Sequence, residues 1–231
     1  MSRVTERYAR GEVVLGTYAS FGSSLEVEIL ANAGLDFVRI DGYKYDWPDD
    51  VVSTMVAACR RNSITPWART RSDPEQIARY IELGVEALTV PAVESAREAE
   101  SIVRAASARP VDFILGCQIE TEAGLANLEE IVTVDGVDVI HSGRTDLARF
   151  LAPTEGQLAD VVLRAEDSIV AAALAAGKIF AMMYPIGTRG ESMVASAIDR
   201  GIRIFAIDND AVVLGDQFAQ AVARIRGGET A

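Results

Sequence analysis

The chain has 231 residues, of which 49 % are hydrophobic, so that it is long enough to bury one sizeable core. Acidic residues outnumber basic ones by 34 to 22, and a net charge of −12 argues against nucleic acid or an anionic membrane as partner. A single histidine excludes a zinc site built from several histidines, and two isolated cysteines, a polar N-terminus and no long apolar run predict a cytoplasmic protein without disulfides.

Eight short apolar runs alternate with longer amphipathic segments. The predicted strands are VVLGTYA (13–19), FVRID (37–41), TPWART (65–70), ALTVPAV (87–93), FILGCQIET (113–121), DVIHSG (138–143), KIFAMMY (178–184) and RIFAID (203–208). The predicted helices lie at 23–34, 49–62, 72–84, 95–106, 121–132, 154–177, 187–201 and 210–228. Strands that are apolar on both faces and are each followed by a helix indicate parallel pairing. Eight such units without a linker predict an α/β fold, a single (β/α)8 TIM barrel over residues 1–231.

Polar residues at the C-terminal ends of the strands are the functional candidates, because chemistry in such a barrel takes place there. These candidates are Asp41 and Lys44 after the second strand, Arg69 after the third, Gln118 and Glu120 after the fifth, and Gly143, Arg144, Thr145 and Asp146 after the sixth.

Glu120 and Asp146 follow adjacent strands. Two hard oxygen donors suit Mg²⁺ or Mn²⁺ that is held jointly by protein and substrate. Arg69 can form a forked contact with a carboxylate, and the turn that begins at Gly143 offers backbone N–H groups to an anion. Together these residues predict a site for a small oxyacid bound to a metal, and a 2-oxo acid fits because its carboxylate and keto oxygen can chelate.

Each residue also has a purely structural explanation. Glu120 could be solvated or salt-bridged, Asp146 could cap the next helix, and Arg69 could be an ion-pair partner of either. The three residues together favour a functional role, because all are expected at the same end of the barrel.

The chain resembles the HpcH/HpaI aldolase family, within the phosphoenolpyruvate/pyruvate-binding TIM barrels. The resemblance covers most of the chain and lies in LGTYASFGSSLEVEILANAGLDFVRIDG, WARTRSDPEQIARYIELGVEALTVPAVESAREAE, QIETEAGLANLEEIVTVDGVDVIHSGRTDLA and DRGIRIFAIDNDAVVL. Its most specific part is QIET together with G-x-x-D-L.

This resemblance implies a divalent-metal-dependent carbon–carbon lyase of the aldolase type, which acts on a 2-oxo acid through a metal-stabilised pyruvate-like enolate. Glu120 and Asp146 would ligate Mg²⁺ or Mn²⁺, and Arg69 would hold the keto oxygen. Asp41 would support the general base. The substrate-binding set would be Arg69, Gln118, Gly143, Arg144 and Thr145. The resemblance also implies a homo-oligomer, a hexamer built as a trimer of dimers, with the C-terminal helix exchanged between subunits.

Two features depart from the family. The Asp-Gly turn is followed in the family by Glu-His, whose histidine moves protons, whereas here Tyr43 and Lys44 follow it. A segment with the motif Pro-Pro-x-Gly-x-Arg-Gly is also missing, since AASARP runs straight into VDFILG. Lys44 could act as a base, bind a distal carboxylate or phosphate, form a Schiff base, or simply pair with Asp41 or Asp46. His141 is expected to be a packed residue within its strand.

The missing histidine leaves the reaction type open. Cleavage of an aldol requires removal of a proton from a hydroxyl group, whereas decarboxylation of an oxaloacetate-like acid does not, and condensation with a ketone needs an acid instead. A related decarboxylating or condensing, citrate-synthase-like enzyme of a specialised pathway is therefore one alternative. A non-catalytic barrel that binds a small acid is another.

Overall fold

Eight parallel strands close into a barrel in the order β1 to β8, and β8 pairs back with β1. The computed structural model describes residues 2–151, 158–184 and 188–227. The strands are β1 Val14–Ala19, β2 Phe37–Asp41, β3 Thr65–Arg69, β4 Ala87–Val90, β5 Ile114–Ile119, β6 Val139–Ser142, β7 Ile179–Tyr184 and β8 Ile204–Asn209. The prediction of a (β/α)8 barrel is confirmed, and each predicted strand is present.

Helices follow the strands and form the outer layer, except for one helix that precedes the first strand. Within the described residues they are α1 Arg3–Ala9, α2 Ser24–Asn32, α3 Asp49–Arg61, α4 Pro74–Glu82, α5 Ala96–Ala105, α6 Glu122–Ala126, α7 Leu128–Ile131, α8 Arg144–Leu151, α9 Leu158–Ala175, α10 Thr188–Asp199 and α11 Asp210–Ile225. The predicted helix at 121–132 is divided at Asn127, and α1 and α8 were not predicted. The predicted helix starts at 154 and 187 lie outside the described residues.

Local capping explains where several helices begin. Ser23 Oγ accepts a hydrogen bond from the backbone of α2, and the Glu26 carboxylate accepts one from the backbone N–H of Ser23, which forms a capping box. Asp73 caps α4, and Pro74 occupies its first turn, where a missing N–H costs nothing. These caps fix the direction in which each helix leaves the sheet.

The core has two parts, one between the strands and the helices and one inside the barrel. The inner part includes Val14, Phe37, Trp67 and Ile204, which point inward because strand side chains alternate between faces. His141 lies there too, buried within β6, where its Nε2 is 3.1 Å from Thr89 Oγ1. Burial first, and then the charge of Arg39, holds the pKa of His141 well below its usual range. His141 is therefore the packed, neutral residue that was expected.

Both cysteines are free and buried, and burial raises the pKa of Cys59 and of Cys117 to about 12, so that neither is a reactive thiolate. Of the helices in the described ranges, none combines the length and the apolar character needed to cross a bilayer.

Candidate active site

Two neighbouring cavities open at the C-terminal ends of the strands. The first, of about 380 Å³, is lined by Tyr18, Asp41, Lys44, Arg69, Gln118, Ser142, Gly143, Arg144, Thr145, Asp146, Met183, Asp208 and Asn209. The second, of about 470 Å³, is lined by Tyr43, Lys44, Arg69, Ala92, Glu120, Thr121, Asp146, Arg149 and Phe150. The cavities share Lys44, Arg69 and Asp146. All nine residues singled out from the sequence therefore line one or both of them.

Asp41, which is buried, and Arg69, which is partly buried, form an ion pair at the floor of the site. The parallel register of β2 and β3 places them opposite each other. Arg69 Nε donates to Asp41 Oδ1 at 3.0 Å, and Nη2 donates to Oδ2 at 2.5 Å. The same Oδ1 accepts the backbone N–H of Lys44 at 3.1 Å. Asp41, rather than Glu120 or Asp146, is thus the ion-pair partner of Arg69.

This pairing fixes the position of Arg69 and leaves part of it free for a ligand. Its guanidinium carbon lies 4.8 Å from the ring centroid of Tyr18 and 5.3 Å from that of Tyr43. A guanidinium has five N–H donors, and the hydrogen bonds to Asp41 use only two of them. Burial alone would lower the pKa of Arg69, but Tyr18, Asp41 and Glu120 outweigh it and raise the pKa, so that Arg69 is a permanent cation.

Glu120 is a buried carboxylate at the end of β5. Gln118 Nε2 donates to its Oε2 at 2.5 Å, which fixes one oxygen. Burial raises the pKa of Glu120 to about 7, and the nearby charge of Asp146 adds to the effect, while Arg69 opposes it. Two carboxylates are therefore held close enough to repel each other, an arrangement that a bound cation would relieve.

Gly143 makes the position of Glu120 possible. A Cβ atom at residue 143 would come within 2.1 Å of Glu120 Oε2, 2.5 Å of Glu120 Cβ and 2.7 Å of Gln118 Nε2. The backbone is also fixed, because Gly143 N donates to the Ile119 carbonyl at 3.0 Å. Any larger residue at position 143 would clash with the carboxylate of Glu120.

Asp146 lies in the first turn of α8 and so is not the cap of a helix. Its Oδ1 accepts a hydrogen bond from Arg149 Nη1 at 2.6 Å. The first turn of a helix has N–H groups without intrahelical partners, which suits an anionic ligand. Arg144 and Thr145, in the same turn, line the first cavity beside it.

The side chain of Arg144 is engaged within the protein. Its Nε donates to both oxygens of Glu166 in α9 at 2.9 Å, and its Nη2 contacts the same carboxylate. Ser142 Oγ also donates to Glu166, at 2.5 Å. The buried Glu166 therefore neutralises the charge of Arg144, which lines the cavity. The sequence did not indicate this pairing.

Lys44 is exposed at the rim that separates the two cavities. Its Nζ lies 5.3 Å from the ring centroid of Tyr45. The expected alternative, an ion pair with Asp41 or Asp46, does not form, because Arg69 occupies Asp41 and no ion pair joins Lys44 to Asp46. The ammonium group is thus available to a ligand in either cavity.

Some lining residues were given no role in the sequence analysis. Asp208 ends the predicted eighth strand but was assigned no function, and Asn209 follows it. Tyr18 lines the first cavity and Phe150 the second, and neither was predicted; Phe150 belongs to α8, which was not predicted either.

The donor set fits a divalent ion of the magnesium class. Among the residues that the structure describes, no group of three or more His, Cys, Asp or Glu side chains could hold a metal. Mg²⁺ and Mn²⁺ are commonly held by one or two carboxylates, with water and substrate oxygens completing the shell. The mutually repelling Glu120 and Asp146 match that pattern, and a structural zinc site does not.

Comparison with known proteins agrees with the geometry. The family model HpcH/HpaI aldolase/citrate lyase matches residues 52–207. A hydroxypyruvate/pyruvate aldolase of Roseovarius nubinhibens is 30 % identical over 94 % of each chain, and a 4-hydroxy-2-oxovalerate aldolase of Rhodococcus jostii is 27 % identical over 94 % of this chain and 93 % of its own. The solved structure of the citrate synthase SbnG has the same fold, with a TM-score of 0.88 at 21 % identity over 97 % of both chains. The chain belongs to the HpcH/HpaI aldolase/citrate lyase family, and the prediction of a carbon–carbon lyase is confirmed.

Proposed function

We propose that this protein is a divalent-metal-dependent aldolase that cleaves or forms a carbon–carbon bond next to a 2-oxo acid. The observation that carries the proposal is the position of Glu120 and Asp146 beside the fixed cation Arg69, where two cavities meet. The names of the aldolase relatives support a small 2-oxo acid as substrate.

Glu120 and Asp146 would hold the cation, and Mg²⁺ or Mn²⁺ fits their oxygen donors. When bound, such an ion supplies electrophilic stabilisation of the enolate oxygen. The remaining work falls to the protein. Gln118 keeps one oxygen of Glu120 fixed through its 2.5 Å hydrogen bond.

Arg69 would stabilise the negative charge that develops on the keto oxygen. Its pairing with Asp41 holds the guanidinium in place before the substrate arrives, so that little reorganisation is needed during the reaction. The first turn of α8, at Arg144 and Thr145, would hold the substrate carboxylate with backbone N–H groups. The first cavity would thus contain the 2-oxo acid.

The second cavity would contain the aldehyde part of the substrate. Lys44 lines both cavities, where it would face the substrate hydroxyl whose proton must be removed in cleavage. We assign the proton transfer to Lys44, which takes the place of the histidine of related aldolases: it would accept the proton as a neutral amine in cleavage and return it as an ammonium in bond formation. Asp41 holds the backbone N–H of Lys44, so it positions the loop that carries this residue.

The test is the release of pyruvate or hydroxypyruvate from a panel of 4-hydroxy-2-oxo acids. Release should depend on added Mg²⁺ or Mn²⁺, stop with EDTA and be lost in Glu120→Gln. Lys44→Ala should lower kcat and change KM little. Lys178 donates to backbone carbonyls far from the site, so Lys178→Ala should change neither constant. Consumption of oxaloacetate without any aldol cleavage would favour a decarboxylase and contradict the proposal.

We further propose that the chain forms one domain and acts in the cytoplasm as a homo-oligomer, a hexamer built from dimers that exchange α11. Supporting this, α2 and α11 present apolar side chains to solvent, including Ile29 at 60 % exposure, Phe218 at 64 % and Ile225 at 85 %. Light scattering should give a mass several times 24.8 kDa, and Phe218→Glu should lower it. A monomeric wild-type protein would contradict this assembly.

A further inference from the structure

A buried arginine lies inside the barrel below the site. Arg39, in β2, is 2 % exposed. It is two residues before Asp41, so both side chains point to the interior. The register places Arg39 beside Tyr18 of β1 and Trp67 of β3. Arg39 therefore occupies the interior layer directly beneath the Asp41–Arg69 pair.

The charge of Arg39 is not compensated by the residues around it. Its Nη1 donates to Tyr18 Oη at 2.8 Å, but Nε and Nη2 make no hydrogen bond with any residue in the described ranges. Its guanidinium carbon lies 4.9, 5.6 and 4.8 Å from the ring centroids of Tyr18, Phe37 and Trp67. Within the described part of the chain it forms no ion pair with a carboxylate, and the neighbouring His141 is neutral.

Such an arrangement costs stability. Burying a cation without a counterion is unfavourable, and cation–π contacts offset only part of that cost. An apolar side chain of similar volume, such as methionine, would fill the same space among three rings without the charge. The position of Arg39 thus requires a reason other than packing.

The charges of the site supply that reason. Asp41 neutralises Arg69, and Glu166 neutralises Arg144. A divalent ion would neutralise Glu120 and Asp146, and the other charges that line the two cavities are the cations Lys44 (as ammonium) and Arg149 and the anion Asp208. Arg39 has no carboxylate partner among the described residues, so its charge adds to the positive potential that an anion would meet in the first cavity.

Tyr18 links this charge to the site. Its hydroxyl accepts the hydrogen bond from Arg39, its ring lies 4.8 Å from the guanidinium carbon of Arg69, and the residue lines the first cavity. The two guanidinium carbons contact one ring, so they are at most about 10 Å apart, across protein rather than solvent. An anion held by Arg69 would lie one contact beyond that separation, and a unit charge still acts on an anion over such a distance.

We propose that Arg39 is a positioning residue that adds positive potential to the first cavity, and that its hydrogen bond to Tyr18 fixes the ring against which Arg69 lies. It thereby favours binding of the dianionic enolate form of the substrate over the less charged ground state. This inference rests on the proposed function, because that function places an anionic 2-oxo acid and its enolate in the first cavity.

The test compares Arg39→Met, Arg39→Gln and Arg39→Lys with the wild-type protein in the presence of saturating Mn²⁺. Oxalate, which resembles the enolate of pyruvate, is the probe, and its dissociation constant is measured by calorimetry alongside thermal unfolding. Arg39→Met and Arg39→Gln should bind oxalate at least about tenfold more weakly. Arg39→Met should unfold at the same temperature or higher, and Arg39→Lys should recover part of the affinity. Arg104→Met, which removes an exposed charge on α5, is the matched control and should bind normally.

The outcomes separate this inference from the proposed function. If the wild-type protein binds no oxalate with Mn²⁺, the proposed function fails and the role of Arg39 fails with it. If the wild type binds oxalate but the neutral variants bind it within twofold of the wild type, only the role of Arg39 is overturned. A large loss of stability in Arg39→Met with normal oxalate binding would likewise identify Arg39 as a packing residue.

Discussion

Gly143→Ala should damage the metal site without changing a single charge. The new Cβ would stand 2.1 Å from Glu120 Oε2, where ordinary contacts are 3.4–4 Å, so the carboxylate would have to move by more than 1 Å. Rotation of Glu120 cannot fully remove the conflict, because the Cβ of Glu120 itself would lie 2.5 Å away and can move only with the backbone of β5.

The expected magnitudes follow from this overlap. Overpacking of a filled site costs about 1–3 kcal/mol of unfolding free energy. Displacing one of two protein ligands should weaken Mn²⁺ binding by at least about tenfold, which corresponds to roughly 1.4 kcal/mol. Both effects arise from one added methyl group, so they should appear together.

Calorimetric titration with Mn²⁺ and urea unfolding measure the two effects. The matched control is Gly215→Ala, also a glycine-to-alanine change, because a Cβ at residue 215 meets no atom of the chain within 4 Å. That variant should bind Mn²⁺ like the wild type. Normal Mn²⁺ affinity in Gly143→Ala, with unchanged stability, would refute the assignment of Glu120 as a ligand held against Gly143.

Three further predictions concern individual carboxylates. Asp41→Asn leaves the partly buried guanidinium of Arg69 without a counterion and should cost about 1–3 kcal/mol in urea unfolding, together with a loss of pyruvate release. Because the pKa of Glu120 is raised to about 7, a proton competes with the metal below that pH, and calorimetry should find Mn²⁺ binding about tenfold weaker at pH 6 than at pH 8. The pKa of Glu26 is also raised to about 7, by burial and then by Asp210. The stability that protonated Glu26 contributes is complete below the pKa of the unfolded chain, near 4.5, and is lost as the pH rises through 7. Between pH 5 and pH 8 the unfolding free energy should therefore fall by about 2 kcal/mol less in Glu26→Gln than in the wild type. Equal declines in the two proteins would show that Glu26 is not the responsible group.

The barrel itself could be predicted because its strands are buried on both faces and read as continuous apolar runs. The ends of the strands could be predicted less accurately. The fourth strand was predicted to reach residue 93 but ends at Val90, because Ala92 adopts a positive φ of 54° and the chain turns there. The sequence stays apolar beyond the last residue of β4 that pairs with a neighbouring strand. Helix α8 was missed because it directly follows Gly143 and is too short for a clear periodic pattern.

The candidate site was assembled from strand ends, and the structure brings all nine residues to two adjoining cavities. Their partners could be predicted only in part. Asp41 and Arg69 end neighbouring strands, so their pairing follows once the register is known. Glu166 lies on α9, 22 residues after Arg144, and no local pattern connects them. The inward direction of Arg39 depends on the register too, because a shift by one residue would have turned it to the other face.

The most direct test of the proposed chemistry is exchange of the methyl protons of pyruvate with solvent deuterium, followed by proton NMR. This exchange requires only the enolate, so it does not depend on which aldehyde the enzyme uses. We expect exchange with Mg²⁺ or Mn²⁺ that stops on addition of EDTA and is absent in Glu120→Gln. Failure of the wild-type protein to exchange these protons with either metal would contradict a metal-dependent aldolase.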